Sequence, residues 1–591
     1  MIRGFAVWAL VLCIGVDVAS ARSDLPAGNY IVQYSPNAMA DQGLLLIKIE
    51  HKGGKDVAEM LDPKQAEVES ITVDDRHVVI DFKAFGRTLR FDGTVDAKDN
   101  KVIIGNFGDD DFITRGALVP TDKEKLDQSD RFKRKDLPEP MTKAQTLTSK
   151  VASLRMKLRQ AGDNEAGTTL KKEFDDAKKE ADEQVPALYN ELLARHADSP
   201  ALIDAMQNLL ASKGNAKLSA AEAGTWLQAV DKVSAPHGSR YRLDVLSKLS
   251  GLLAQREGLQ PIALEAAERA AAGMTDRTTT SQKAKVYKSL RAAQEKSGKA
   301  DLARLTDAKL AKLEDLLDLE YLAKVPPFKP TKFPGRKEEA NRVVVMELFT
   351  GAQCPPCVAA DAAFDGLLKA YKPSDLVLIQ YHMHIPGPDP LTNPSTIARW
   401  EYYRKLHERA ILGVPTALFN GKPTAAGGGP LSNAEAVFKE FRKLIDPFLD
   451  EVTPVKLTGE VTSTGDKLSI KVSADGIKEP GDNIRLRLLL VEESIRYVGG
   501  NGIRFHHHVV RDTPGGVDGV ALKESKGTAS AEVDLKVLRA KLAKYLDDYA
   551  ANEGEFSNPD RPLALKNLRV MAIVQDDSTG QILQGLQLHV K

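Results

Sequence analysis

Cysteine is almost missing from this chain: its 591 residues contain three, Cys13, Cys354 and Cys357. Cys13 lies in an N-terminal segment whose pattern is that of a removable leader. The other two stand three positions apart. An exported chain with a single such pair is not held together by a framework of disulfides, so the pair indicates chemistry more than a structural staple.

Net charge and long apolar segments are also missing. The 82 lysines and arginines balance the 82 aspartates and glutamates, so no field of one sign argues for nucleic acid or for an acidic partner. Beyond the N-terminus no segment is apolar enough to cross a bilayer. We therefore expect no transmembrane span in the mature chain.

The first 21 residues have the pattern of a secretory signal peptide. They combine Arg3, an apolar run over residues 5–16 and the small residues Ala19-Ser20-Ala21. A retained anchor is the alternative, although the run is short for a bilayer. We expect an exported protein, either periplasmic or secreted, with association with the outer membrane as a further option, whose thiols meet oxidising conditions.

The length of the chain predicts several domains. Residues 23–118 carry short β-rich runs between turn signals, which predicts an all-β domain. Residues 141–324 are rich in Ala, Leu, Lys and Glu with helical periodicity. Their helix pairs, recurring roughly every 40 residues, resemble a tetratricopeptide-like array, and an irregular bundle fits as well. Neither region has a catalytic constellation, and the helical domain is a candidate surface for a protein partner.

The dithiol lies between a strand pattern and a helix pattern. Residues 343–349 form an apolar run before it, and apolar residues recur at helical spacing over 358–371. A strand, a short turn and Cys-x-x-Cys at a helix start are typical of thioredoxin-like proteins. Half of a zinc site and an inert disulfide are the alternatives.

The remaining patterns extend this α/β reading. Over residues 337–450 the predicted order is β-α-β-α-β-β-α, with Asn420-Gly421 as a hairpin turn. Residues 453–591 return to β-rich runs with one helix, which predicts an immunoglobulin-like sandwich. The predicted fold class is thus multidomain, with α+β and α/β parts.

A family resemblance covers about residues 340–591 and lies in three stretches. They are Glu347-Leu348-Phe349-Thr350-Gly351-Ala352-Gln353-Cys354-Pro355-Pro356-Cys357, then Gly413-Val414-Pro415-Thr416, then residues 505–511. The chain resembles the thioredoxin superfamily, and is similar to secreted or outer-membrane-associated thioredoxin-like proteins with a C-terminal β-sandwich domain. The resemblance implies a thiol–disulfide oxidoreductase that acts on protein thiols and disulfides without a cofactor. Whether it reduces, oxidises or isomerises stays open.

Four residues are the candidate catalytic set. Cys354, at the positive end of a helix dipole, is expected to be the exposed nucleophile, and Cys357 the resolving thiol. By resemblance, Pro415 is a cis-proline facing the dithiol; an ordinary trans turn is the alternative. The resemblance also implies that Glu347 is a buried acid that relays a proton to the resolving cysteine; the alternative is a Glu at the strand edge that reaches solvent or a lysine.

His382 and His384 supply the weaker hypotheses. If they alternate on one strand they share a face, from which they could tune Cys354 or, with both thiolates, hold copper or zinc. Structural histidines with satisfied partners are the alternative. Besides the oxidoreductase, a metal-handling protein and a non-catalytic interaction scaffold therefore remain open.

Overall fold

The computed structural model describes residues 25–590 except 54, 98, 111, 162–164, 212–217, 409, 425–426 and 559. The predicted signal peptide at 1–21 lies outside the described residues. The chain divides into two compact units, which meet in sequence at Leu317 and Asp318.

The first unit begins with an antiparallel all-β region, as predicted for residues 23–118. Alternation of apolar and polar residues along the strands puts one face into a core that contains Tyr30, Ile47, Phe82 and Phe91. Within the described residues the sheet order is β3-β2-β1-β8-β7-β6-β5-β4, with β9 paired to β2. The strands are β1 (Gly28–Ser35), β2 (Ala40–Lys52), β3 (Lys55–Asp62), β4 (Glu67–Asp74), β5 (His77–Ala84), β6 (Arg87–Val95), β7 (Ile103–Gly108), β8 (Ile113–Thr121) and β9 (Lys133–Arg134).

A helical region follows the sheet, again as predicted. Its apolar stripes meet in a core around Trp226, and Ser219 with Glu222 closes a capping box at the start of one helix. The helices are α1 (Gln128–Arg131), α2 (Glu139–Ala161), α3 (Glu165–Arg195), α4 (Ala201–Ala211), α5 (Ala220–Ser234), α6 (Ser239–Ala254), α7 (Gln260–Ala272), α8 (Thr280–Lys296) and α9 (Ala300–Lys324).

Buried polar contacts join this sheet to these helices. Asn106 on β7 donates to the carbonyl of His237 at 3.0 Å, and the buried Arg240 donates to the carbonyl of Gly108 at 3.3 Å. The two regions predicted as separate domains thus form one compact unit.

The second unit is built on a sheet that crosses a predicted domain boundary. Within the described residues its order is β13-β12-β10-β11-β17-β16-β20-β21, with β18 paired to β16, while β14-β15-β19 form a second sheet. Strand and helix bounds are β10 (Val344–Thr350), α10 (Val358–Ala370), β11 (Leu376–His382), α11 (Pro394–Leu406), β12 (Thr416–Phe419), β13 (Lys422–Thr424), α12 (Ala434–Ile445), β14 (Lys456–Thr464), β15 (Lys467–Asp475), β16 (Gly481–Arg496), β17 (Phe505–Asp512), β18 (Val520–Leu522), β19 (Lys526–Asp534), α13 (Leu535–Asn552), β20 (Leu568–Asp576) and β21 (Ile582–His589).

The connection across that boundary is a parallel pairing. Strand β11 lies parallel to β10 on one side and pairs in parallel with β17 on the other, through Gln380 and Val509. Strands from 453–591 therefore continue the sheet that carries the dithiol. The sequence predicts two separate domains here because strand pairing between distant segments leaves no local pattern.

The two faces of β10 bury different cores. Val344, Met346 and Leu348 pack with α10 and α12, whereas Val345 and Phe349 pack with α11 and with side chains of β16, β17 and β20. This alternation, two residues per repeat, decides which helix each polar residue of β10 can meet. Within the part of the chain that is described, no helix combines the length and apolarity that crossing a membrane requires.

Candidate functional site

The cysteine pair forms a disulfide at the start of α10. The bond joins Cys354 to Cys357 directly after β10, and a 3₁₀ turn, Pro355–Cys357, leads into the helix. The amide of Cys354 donates to the carbonyl of Gly351 at 3.0 Å, and the amide of Cys357 to that of Cys354 at 3.1 Å. This places both sulfurs at the positive end of the α10 dipole, which favours a thiolate.

Neither sulfur is open to solvent in this disulfide form. Cys354 is 1% exposed and Cys357 is fully buried, while Pro355 and Pro356 between them are exposed. The expectation of an exposed Cys354 therefore differs from the structure. Access to either sulfur from solvent therefore requires movement around the turn.

Pro415 lies beside the dithiol, and the Val414–Pro415 peptide bond is cis, as the resemblance implied. The carbonyl oxygen of Val414 is 3.8 Å from the sulfur of Cys354. The segment that leads into β12 is thus in contact with the candidate nucleophile.

Glu347 lies on the other face of the sheet from α10. Its buried carboxylate accepts hydrogen bonds from the guanidinium of Arg399 at 2.8 and 3.0 Å and from the hydroxyl of Tyr381 at 2.8 Å, and it also contacts the hydroxyl of Tyr403. Odd-numbered residues of β10 face α11, so this carboxylate points away from Cys357. Neither a proton relay nor a solvent-exposed edge describes Glu347; it is half of a buried ion pair.

Asp361 is the buried acid that does share a helix face with the dithiol. It lies four residues after Cys357, one turn along α10. Its carboxyl oxygens accept from the hydroxyl of Thr350 at 2.9 Å and from the amide of Gln380 at 3.1 Å. Burial raises the pKa of Asp361 to about 7. The sequence signal that could have identified it is the four-residue spacing from Cys357.

His382 and His384 do not share a face toward the dithiol, because β11 ends at His382. His382 is fully buried with its Nδ1 2.8 Å from Asp389, which in turn accepts the amide of Ala352 at 2.6 Å. His384 stacks on Tyr549 with ring centroids 3.7 Å apart, and burial lowers the pKa of His384 to about 4.

Each of the two histidines thus has its own partners. Across the residues that the structure describes, no group of three or more His, Cys, Asp or Glu side chains could hold a metal ion. One of the histidines nevertheless serves the dithiol indirectly. Through Asp389, His382 supports the amide that lies two residues before Cys354.

Comparison with known proteins gives no family. No protein-family model matches the chain, and no curated protein matches it. Among solved structures the chain is similar to HBP35 of Porphyromonas gingivalis, at 16% identity over 43% of this chain and 77% of that one, with a TM-score of 0.32. It is also similar to a structural-genomics target protein of Agrobacterium tumefaciens, at 16% identity over 43% and 96%, with a TM-score of 0.27. Likenesses this distant carry no argument about function.

Proposed function

We propose that this protein is a thiol–disulfide oxidoreductase that acts on protein thiols and disulfides. The observation that carries the proposal is the Cys354–Cys357 disulfide at the start of α10, next to the Val414–Pro415 segment. Two cysteines so placed can alternate between a disulfide and a dithiol without rearranging the strand and helix that hold them. No cofactor is required, since the electrons pass between sulfur atoms.

The fold proposed for this site is that of thioredoxin, over residues 337–450. It is supported by the observed order β10-α10-β11-α11-β12-β13-α12, and by β10 lying between a parallel β11 and an antiparallel β12. For residues 453–591 we propose an immunoglobulin-like sandwich. A core shared by β14 and β15 with β16 and β20 supports it. One of its sheets would then be continuous with the thioredoxin sheet.

In the reducing direction the reaction has two exchange steps. The thiolate of Cys354 attacks one sulfur of a partner disulfide, forming a mixed disulfide and releasing one partner thiolate. Cys357 then loses its proton and attacks the sulfur of Cys354, which restores the Cys354–Cys357 disulfide and releases the second partner thiol. The same steps run backwards transfer the disulfide to a partner dithiol.

We propose that the carboxyl of Asp361 accepts the proton that Cys357 loses in the second exchange step. This carboxyl lies one helical turn away, and a pKa of about 7 lets it exchange a proton near neutral pH. The hydrogen bonds from Thr350 and Gln380 keep it in place. Asp361 takes the role that the sequence had suggested for Glu347.

The proposed location is outside the cytoplasm. It rests on the signal-peptide pattern of residues 1–21 and on the presence of a disulfide, a bond that persists in oxidising compartments. Fractionation of cells, with N-terminal sequencing of the recovered protein, tests it. Recovery of full-length chain from the cytoplasm would contradict it.

The activity is tested with a small protein disulfide, such as that of insulin, and dithiothreitol as electron donor. Wild-type protein should accelerate reduction, Cys354→Ser should abolish the acceleration, and Cys357→Ser should accumulate a mixed disulfide through Cys354. The double variant is the matched control, because it retains the fold without a thiol at the site. Acceleration that survives Cys354→Ser would place the activity elsewhere.

A further inference from the structure

The turn that carries the dithiol is fastened by a loop from the C-terminal part of the chain. We call residues 498–502, between β16 and β17, the clamp loop. The backbone amide of Asn501 donates to the carbonyl of Ala352 at 3.1 Å, and that of Gly500 donates to the side-chain oxygen of Gln353 at 3.1 Å. These contacts join segments that lie well over a hundred residues apart in the sequence.

The side chain of Asn501 reaches the turn itself. Its Nδ2 donates to the carbonyl of Gly351 at 3.1 Å, with a longer contact of 3.5 Å to the carbonyl of Cys354. Its Oδ1 accepts the backbone amide of Ile503 at 3.1 Å, which fixes the orientation of the amide group. The two carbonyls it meets are the same two that close the hydrogen bonds of the dithiol turn.

The backbone of the clamp loop lies directly on the turn. A Cβ added at Gly499 would stand 2.1 Å from the carbonyl oxygen of Ala352, closer than non-bonded atoms approach. Glycine is therefore required there for the loop to approach the turn this closely. Together with Asp389, which accepts the amide of Ala352, the clamp loop satisfies both backbone polar groups of that residue.

We propose that Asn501 is a positioning residue of the dithiol, which sets the equilibrium between its disulfide and reduced forms by holding the carbonyls of Gly351 and Cys354. This inference rests on the proposed function for its biological meaning. The property itself belongs to the isolated protein and needs no protein substrate.

The direction of the effect follows from electrostatics. The Nδ2–H group of Asn501 points the positive end of its amide dipole at the turn that carries Cys354, and a positive potential there favours a thiolate. Removal of the donor should therefore make the thiol of Cys354 less acidic. It should also shift the equilibrium toward the disulfide, because the reduced form loses stabilisation.

The test uses Asn501→Asp and Asn501→Ala in the full-length protein. Aspartate keeps the shape of asparagine but replaces the donor by a charged acceptor, whereas alanine removes the group. We measure the rate of alkylation of the reduced protein with iodoacetamide against pH, and the disulfide content in glutathione buffers of known ratio. For Asn501→Asp we expect a tenfold shift of the equilibrium constant toward the disulfide, which corresponds to about 30 mV. For Asn501→Ala we expect a smaller shift of the same sign.

Asn558→Ala is the matched control. The side chain of Asn558 donates at 3.2 Å to the carbonyl of Val498, which lies in the same loop three residues before Asn501. It should lower thermal stability without moving the equilibrium constant or the thiol titration. If the clamp loop affects only packing, both Asn501 variants should likewise lower thermal stability without moving the equilibrium constant or the thiol titration.

The outcomes separate this inference from the proposed function. If the Asn501 variants are folded and their equilibrium constants lie within twofold of the wild-type value, the inference is wrong, whatever the activity toward proteins. If Asn501→Asp does not fold, the Asn501→Ala result alone decides. A shifted equilibrium in a protein that does not accelerate insulin reduction would support the inference and count against the oxidoreductase.

Discussion

Asp361 and Glu347 are both buried acids near the dithiol in sequence, but they lie on opposite faces of the sheet and have opposite partners. Asp361 accepts only neutral donors, from Thr350 and Gln380, whereas Glu347 meets the guanidinium of Arg399. A buried carboxyl without a cation is easier to protonate, whereas removal of an acid that pairs with a buried cation leaves that cation without its counter-charge. Substitution of each acid is therefore expected to have a different effect on stability.

For Asp361 the prediction concerns stability against pH. Its ordinary pKa is about 3.9 and burial raises it to about 7, so the folded chain keeps a proton that the unfolded chain has released. The free energy of unfolding should fall as pH rises through that window. Asp361→Asn lacks this dependence, so its stability relative to wild type should rise by up to about 4 kcal/mol between about pH 4 and pH 7.

Urea unfolding at a series of pH values measures the difference. A constant offset is expected as well, because Thr350 and Gln380 donate to different oxygens of Asp361 and asparagine keeps only one acceptor oxygen. The exposed Asp482, changed to asparagine, is the control for the substitution itself. A stability difference between Asp361→Asn and wild type that does not change with pH would mean that the Asp361 proton is not retained on folding.

For Glu347 the prediction concerns a buried cation that loses its counter-charge. Glu347→Gln removes the anionic partner of Arg399, whose side chain is 6% exposed and also donates to Gln575 and Tyr403. The substitution should cost about 3–5 kcal/mol of unfolding free energy. Glu401→Gln on the same helix, an exposed partner of Arg404, should cost no more than about 1 kcal/mol. Rates of thiol exchange should be unchanged in both; a large loss of exchange rate in folded Glu347→Gln would restore it as a proton relay.

At the scale of elements, the clamp loop lies against the turn that carries the dithiol. Gly499→Ala places a methyl group 2.1 Å from the carbonyl of Ala352, so the loop must move away. We expect reduced Cys354 to be alkylated several-fold faster in this variant, because the turn loses its cover. Gly481→Ala, where an added Cβ meets nothing within 4 Å, is the control and should react like wild type. Equal rates for Gly499→Ala and wild type would show that the loop does not limit access.

Local elements are what the sequence predicts well here. The periodic runs before and after the dithiol correspond to β10 and α10, and the cis Val414–Pro415 bond was expected from its motif. Pairing between β11 and β17 could not be predicted, because it joins two strands by a parallel register that no adjacent residues encode. Asn501 was missed for the same reason, since nothing in its own neighbourhood points to Cys354.

The face on which a side chain lies could be predicted only where the strand or helix continues through that residue. His382 and His384 would share a face if the strand continued, but β11 ends between them and His384 turns to Tyr549. Glu347 stands as a charged residue within the apolar run of β10, and the alternation along that strand turns it toward α11 and away from the dithiol. Asp361 follows Cys357 by four residues, which is the spacing of one helical turn. Counting helical turns along α10 from Cys357 would therefore have identified it.

At the scale of the whole molecule, the shared sheet predicts which fragments fold. Val345, Phe349, Val377 and Ile379 pack against β16, β17 and β20, and exposing each costs about 1.5–3 kcal/mol. That sum is comparable to the total stability of an ordinary domain, about 5–15 kcal/mol. A fragment of residues 337–450 should therefore not fold cooperatively, whereas residues 318–591 should.

Circular dichroism melting and the disulfide equilibrium of the two fragments check this. Residues 318–591 contain the clamp loop and should match the full chain in equilibrium constant. A cooperative transition in the fragment of residues 337–450 would contradict this expectation, because it would show that these residues fold without the strands that follow residue 450.

The clamp loop also has a consequence for the order in which a growing chain becomes complete. Cys354 and Cys357 leave the ribosome well before Gly499 and Asn501, which follow more than a hundred residues later. Until residues 498–502 have been made and folded, the turn lacks its hydrogen bonds from Gly500 and Asn501. The dithiol therefore reaches its final setting only once β16 and β17, the strands on either side of that loop, have paired.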